Sequence, residues 1–261
     1  MTKNQIGICK LCGANARLTY EHVPPRNAHN KNRFYIFPMD SSINDPFLQK
    51  TKGRPLQGGI GYYSLCEPCN NKTGAWYGKA YIEFVNQAVF RLRLANAKYN
   101  NGDPYIIHPL KIIKQVVSFF VTLGSINYSE HYPELTEFVL NKNSRTLPEN
   151  YQVFMYYNDS SNYRYMADNF VSDNGVIQNY SEMAHFPFGF VLSFKKTEIP
   201  IDKRLVEITS WKNHPFDFKH RMLSIPLKTL PVELAMFPGD YRTREEIEKA
   251  ISESERKYGK P

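Results

Sequence analysis

The sequence predicts an α+β protein in which a cysteine-rich N-terminal module is followed by helices and then by an antiparallel β-sheet. All four cysteines of the 261 residues lie in two closely spaced pairs before residue 70. Apolar residues then recur at helical spacing, and from Tyr151 onwards they alternate with a period of two. We therefore divide the chain into an N-terminal module, residues 1–104, and a C-terminal part, residues 105–261.

The two cysteine pairs, Cys9–Cys12 and Cys66–Cys69, each have two residues between the thiols. This spacing is typical of a structural zinc site, because each short loop presents two sulfurs to one tetrahedral ion. Two disulfides or four unrelated buried thiols are the alternatives. No apolar signal segment is visible at the N-terminus, so we expect a cytoplasmic, reducing location that disfavours disulfides.

The segment between the pairs has the pattern of a long hairpin. Strands are predicted at residues 6–8, 17–20 and 62–65, and residues 26–61 are rich in proline and glycine, which is typical of a loop. A helix with apolar residues at 77, 81, 84, 88 and 92 follows the second pair, with a stop signal at residues 100–104. A knuckle, a hairpin and a second knuckle opening a helix form the treble-clef arrangement.

Between the knuckles lies Glu21-His22, followed by Pro24-Pro25, and Asn70 directly follows the last cysteine. With the two cysteine pairs, this pattern resembles the zinc-containing branch of the HNH, or ββα-metal, endonucleases, over residues 9 to about 100. The resemblance implies that Glu21 and Asn70 ligate a catalytic Mg²⁺ or Mn²⁺ and that His22 is the general base. It also implies that the four cysteines hold a structural zinc.

These side chains suit phosphodiester hydrolysis on chemical grounds as well. An imidazole activates water near neutral pH, and carboxylate and amide oxygens are suitable ligands for Mg²⁺. Each residue also has an ordinary alternative. Glu21 would be a solvated carboxylate, His22 a packed histidine beside the prolines, and Asn70 or Asn71 a helix cap. Asn71 is the alternative to Asn70 as a ligand.

The long gap between Cys12 and Cys66 departs from the family pattern and indicates an insertion. The family also has a middle asparagine that orients the catalytic histidine, and spacing does not choose its counterpart here. Four asparagines in the loop are candidates: Asn27, Asn30, Asn32 and Asn44.

The net charge of +8 lies entirely in the N-terminal module, which holds 14 Lys and Arg against 6 Asp and Glu. Clustered positive charge gives sequence-independent affinity for nucleic acid. Six basic residues interleaved with aromatics in the loop are the predicted contacts: Arg26, Lys31, Arg33, Lys50, Lys52 and Arg54. A solvated loop whose aromatics cover a small core is the alternative.

The C-terminal part begins with two predicted helices, residues 109–124 and 133–140, and ends with a charged helix, residues 242–258, capped by Thr243. Between them, six segments have strand patterns: 151–157, 163–171, 176–184, 189–194, 205–211 and 216–225. Such a sheet has four candidate roles: reading base edges in nucleic acid, binding a nucleotide, docking a protein, or supporting the N-terminal module.

The sequence therefore predicts metal-dependent endonuclease activity, with DNA as the favoured substrate and RNA as the alternative. One active site would nick one strand, so cutting both strands predicts a homodimer or two sequential events. The C-terminal part is also a candidate surface for a partner protein. No apolar run is long enough to span a bilayer, so no membrane association is expected. The alternative function is a non-catalytic zinc module that binds nucleic acid or protein.

Overall fold

The fold is described from a computed structural model, which describes residues 5–37, 41, 45–94, 104–160, 162–173, 176–194 and 202–259. Its two larger sheets, of three and five strands, are antiparallel throughout, and helices lie between them and after the larger one in the chain. The predicted α+β class and antiparallel sheet are confirmed.

The N-terminal sheet consists of β1 (Gln5–Ile8), β2 (Asn15–His22) and β5 (Gly61–Cys66), in the order β1-β2-β5. The strand β2 is longer than predicted, because it also includes Glu21 and His22 at its end. A bulge interrupts its pairing with β5 between Thr19 and Tyr20.

The insertion contains a small hairpin, where the sequence predicted only loop. Its strands are β3 (Phe34–Ile36) and β4 (Arg54–Leu56). Pro55 lies in β4 opposite Tyr35. Proline is tolerated there because a strand of a two-stranded sheet has an unpaired edge that needs no N–H donor. Each strand has only three residues, too few for a period-two pattern to be recognised.

The helical region begins at the second cysteine pair. The helix α1 (Glu67–Thr73) continues through a π-helical turn, Gly74–Gly78, into α2 (Lys79–Leu94). The predicted stop beyond residue 94 lies largely outside the described residues. After β6 (Tyr105–Ile107), three helices follow, of which the first and third match the prediction: α3 (Pro109–Leu123), α4 (Tyr128–His131) and α5 (Pro133–Leu140).

The five-stranded sheet has the order β11-β7-β10-β9-β8. Its strands are β7 (Gln152–Tyr157), β8 (Arg164–Asp173), β9 (Val176–His185), β10 (Phe188–Ser193) and β11 (Val206–Glu207). The first four match the predicted segments.

The last two predicted strands are largely wrong. Most of segment 205–211 is not strand, because a 3₁₀ turn at Thr209–Asn213 places Trp211 in the core. Of segment 216–225, only β12 (His220–Leu223) is a strand, and it pairs with β6 instead of joining the large sheet. The final helix, α6 (Arg244–Tyr258), begins with a capping box between Thr243 and Glu246.

One apolar core connects the N-terminal and C-terminal regions. Leu65 and Cys66 of β5 belong to this core, together with residues of α2 and α3. On the C-terminal side the core includes Leu192 of the large sheet and Leu227. The division at residue 104 stays a prediction, because it falls at the edge of the described chain. Within the described residues, no helix is both long enough and apolar enough to cross a membrane.

Candidate functional site

The four cysteines come together in space as a potential metal site. Their sulfur atoms all lie within 4.8 Å of one another, and the Sγ atoms of Cys12 and Cys66 are 3.7 Å apart. Tetrahedral zinc with Zn–S bonds of about 2.3 Å requires sulfurs about 3.8 Å apart, so the donor set fits such an ion. A hydrogen bond from Cys69 lowers the pKa of Cys9, which favours the thiolate that binds metal.

Backbone geometry explains why the two pairs meet. Gly13 adopts a φ of +72° and its amide donates to the carbonyl of Cys9, which closes the first knuckle. The amide of Lys10 donates to the carbonyl of Ser64, two residues before Cys66, at 3.0 Å. The second knuckle therefore lies beside the first, at the point where β5 ends and α1 begins.

Glu21 is buried beneath α3, with 8% of its surface exposed. Thr122, near the end of α3, donates a hydrogen bond of 3.2 Å to its Oε2 atom. Loss of hydration raises the pKa of Glu21 to about 8, and the Thr122 hydrogen bond only partly offsets this. A cation beside this carboxyl would favour its charged form. The solvated-carboxylate alternative is therefore wrong.

His22 is the last residue of β2 and is half-buried, whereas the neighbouring Glu21 is buried. The His22 ring packs edge-on against Tyr20, with centroids 5.2 Å apart, and its Nε2 atom is 3.1 Å from the carbonyl oxygen of Gly58. A carbonyl only accepts hydrogen bonds, so Nε2 carries the proton and Nδ1 is the basic nitrogen.

The loop that supplies the Gly58 carbonyl is fixed by Asn30. This side chain is fully buried and makes three hydrogen bonds of 2.7 Å, from Nδ2 to the carbonyls of Pro24 and Ile60 and to Oδ1 from the amide of Ile60. Of the candidate asparagines, Asn30 thus has the position to support His22.

The other candidates for that position differ from Asn30. Asn27 and Asn32 are exposed, and Asn44 lies outside the described residues. Burial is a consequence of the folded loop, and for this reason sequence spacing did not distinguish the four.

Asn70 lies on α1 with its amide group held in one orientation. Its Nδ2 atom donates to Oγ1 of Thr19 at 2.9 Å, and the Thr19 hydroxyl donates in turn to the carbonyl of Leu65. The oxygen of the Asn70 amide is therefore the atom that remains for a cation. The N-cap of α1 is Cys66, with no side-chain cap, so the capping alternative for Asn70 and Asn71 is wrong.

Glu21, His22 and Asn70 border one cleft of about 560 Å³. The three predicted site residues therefore lie around one common space. The cleft also has lining residues that the sequence analysis did not select, most notably Lys79 and Gln115.

The predicted basic contacts lie elsewhere. The six residues are all exposed, and they are absent from the described lining of this cleft: Arg26, Lys31, Arg33, Lys50, Lys52 and Arg54. Arg33 instead borders a second cavity, of about 570 Å³, whose walls include aromatic residues of the β3–β4 hairpin and β8.

The site residues that were missed on α3 do have a sequence signal. Gln115, Ser118 and Thr122 are polar, lie three and four residues apart, and therefore share one face of a largely apolar helix. All three are buried. Buried polar side chains at helical spacing indicate a polar partner surface, here the end of β2 and the cleft.

Comparisons of the whole chain with protein-family models, with curated proteins and with solved structures gave no match in any of the three.

Proposed function

We propose that this chain is a divalent-metal-dependent HNH endonuclease that hydrolyses phosphodiester bonds, with DNA as the favoured substrate. The observation that supports this function best is the convergence of Glu21, His22 and Asn70 on one cleft, beside a cysteine cluster with zinc-site spacing. The cysteines would hold zinc in a treble-clef arrangement without taking part in the reaction.

The cleft residues divide the chemistry between them. Glu21 and Asn70 would hold Mg²⁺ or Mn²⁺, which supplies positive charge for the scissile phosphate and the leaving oxygen. Thr122 and Thr19 fix the carboxyl and the amide by hydrogen bonds. Because both supports are present in the folded chain, neither ligand has to reorient when the ion binds.

His22 would act as the general base through Nδ1. It removes a proton from water, whose oxygen then bonds to phosphorus as the bond from phosphorus to the 3′ oxygen breaks. The products are a 5′ phosphate and, once the leaving oxygen is protonated, a 3′ hydroxyl. The Gly58 carbonyl holds the ring and stabilises the positive charge that forms on it.

Cleavage of supercoiled plasmid in Mg²⁺ or Mn²⁺ tests this function. We expect the wild type to nick the plasmid and His22→Ala to be at least about 100-fold slower, the usual contribution of a general base. His131→Ala, which removes an exposed histidine on α4, should cut like the wild type. Equal cutting by His22→Ala would overturn the proposed base.

The non-catalytic alternative is supported by the Thr122 hydrogen bond to the buried Glu21 carboxyl, which a purely structural role would also explain. Binding of plasmid without nicking in either metal would favour a zinc module that only binds nucleic acid. Faster cleavage of a structured RNA than of plasmid would change the substrate to RNA.

A further inference from the structure

One wall of the cleft is formed by two glycines of the π-helical turn, Gly74 and Gly78. Gly74 has helical angles, φ −59° and ψ −47°, and neither residue has a positive φ. A Cβ atom added at Gly74 would meet no described atom within 4 Å, and one at Gly78 would meet only Oε1 of Gln115, at 3.9 Å.

Neither backbone conformation nor packing therefore requires glycine at these two positions. Glycine is a poor helix former compared with alanine, so two of them four residues apart lower the stability of this helical segment. Turns of π-helix are also frequent at functional sites. The two glycines are explained if the absence of their side chains leaves room in the cleft for a bound molecule.

Gln115 lies beside this wall and lacks a partner for one of its atoms. Its side chain is buried, its Nε2 donates to Oγ of Ser118 at 2.9 Å, and its Oε1 has no hydrogen-bond partner among the described residues. The Ser118 hydroxyl donates to the Gln115 carbonyl, which fixes the pair. A buried acceptor without a donor destabilises a protein, so a ligand donor is expected here.

We propose that Gly74, Gly78 and Gln115 form a nucleoside subsite of the cleft, an inference that rests on the proposed nuclease function. The sugar and base next to the scissile phosphate pack against the two glycines, and a donor on that nucleoside bonds to Oε1 of Gln115. Phosphate oxygens do not fit this position because they are acceptors. The donor is therefore a ribose 2′-hydroxyl or an N–H group of the base.

The test compares stability with binding. The affinity for fluorescent DNA and RNA oligonucleotides of the same sequence is measured in Mg²⁺ in a His22→Ala background, which slows cleavage. The thermal melting of each protein is measured as well. We expect Gly74→Ala to melt at or above the temperature of its parent, yet to bind about 3- to 10-fold more weakly. Gly74→Leu should bind more weakly still, since a larger side chain fills more of the cleft.

Gln115→Met keeps the size of the side chain and removes the acceptor, so binding should weaken about 5- to 10-fold. If Gln115→Met loses affinity only for the RNA oligonucleotide, the donor is a 2′-hydroxyl. If it loses affinity equally for DNA and RNA, the donor is an N–H group of the base. Ala75→Gly is the matched control, because Ala75 is exposed in the same turn and does not border the cleft. It should lower the melting temperature and leave binding unchanged.

Wild-type binding by both Gly74→Leu and Gln115→Met would overturn the subsite. If the protein with His22 intact still nicks plasmid, the nuclease function stands and only the subsite is wrong. If that protein binds oligonucleotides without nicking, the catalytic proposal fails while weaker binding by the variants still supports the subsite. Absence of any binding by the parent protein overturns both.

Discussion

At the residue scale, Asn30 controls the geometry around His22 without bordering the cleft. Its three hydrogen bonds connect Pro24, two residues after the end of β2, to Ile60, the residue just before β5. Two residues before Ile60, the Gly58 carbonyl bonds His22, and Gly59 between them has a φ of +104°. A Cβ at Gly59 would lie 2.1 Å from the Asn30 carbonyl oxygen, so only glycine fits this approach.

Asn30→Ala should therefore affect both stability and activity. It removes three hydrogen bonds and leaves the Pro24 carbonyl and the Ile60 amide without their side-chain partner, whereas the Ile60 carbonyl keeps its bond from the Val23 amide. We therefore expect a loss of about 2–4 kcal/mol of unfolding free energy. Nuclease activity should also fall, because the loop would no longer hold the Gly58 carbonyl against the His22 ring. Chemical denaturation and plasmid nicking measure the two effects. Asn27→Ala, at an exposed position, is the control, and an equally stable and active Asn30→Ala would contradict the role of Asn30.

At the scale of elements, α3 connects the cleft to the rest of the protein. Toward its end Thr122 bonds Glu21, and nearer its start Lys114 donates to the carbonyls of Phe138 and Asn141 at the end of α5. Lys114 is fully buried, with its ammonium 3.7 Å from the centre of the Phe138 ring. Burial lowers the pKa of Lys114 to about 7.

This shift predicts how stability depends on pH. The folded-state pKa lies below the unfolded one, so between about pH 7 and 10.5 the unfolded chain binds more protons at Lys114, and stability rises with pH. We expect the wild type to gain about 2 kcal/mol relative to Lys114→Met from pH 7 to pH 9. Urea denaturation across that range measures it.

The matched control is Lys72→Met, at an exposed position on α1, whose difference from the wild type should not change with pH. A difference between wild type and Lys114→Met that stays constant, or that falls as pH rises, would contradict the prediction.

At the scale of the whole molecule, the cysteine cluster and the large sheet share one apolar core. Cys9, Cys66 and Cys69 belong to the same cluster of buried residues as Phe190 and Leu192 of β10. Loss of order at the knuckles would thus expose surface that also stabilises the sheet. We expect the described regions to unfold as one cooperative unit.

Metal removal tests this coupling. Elemental analysis should find one zinc per chain in the wild type and none in Cys66→Ser. Calorimetry should show a single unfolding transition in both proteins, with the midpoint of Cys66→Ser roughly 10 °C below that of the wild type. A shift of this size is expected for the loss of several kcal/mol in a chain of this length. Ser64→Ala, on the same strand, should keep the zinc. Two transitions, of which only one responds to metal removal, would contradict a shared core.

Much of the fold was predictable from local pattern. The spacing of the cysteines, the apolar stripe of α3 and the alternation in β7 to β10 identified these elements within a few residues. Segment 216–225 has the same strand pattern, but its partner is β6, more than a hundred residues earlier. Period-two alternation indicates that a strand forms and not which strand it pairs with, so this pairing was not predicted.

The sequence by itself determined which groups are available for chemistry: four thiols in paired knuckles and Glu21, His22 and Asn70 beside them. Only the tertiary structure brought the last three to one cleft and gave them their hydrogen-bond partners, Thr122, Gly58 and Thr19. It also added the glycine wall and Gln115. The physical reason is that residue type and spacing fix chemical identity, whereas burial, orientation and hydrogen-bond partners arise from contacts between segments far apart in the chain.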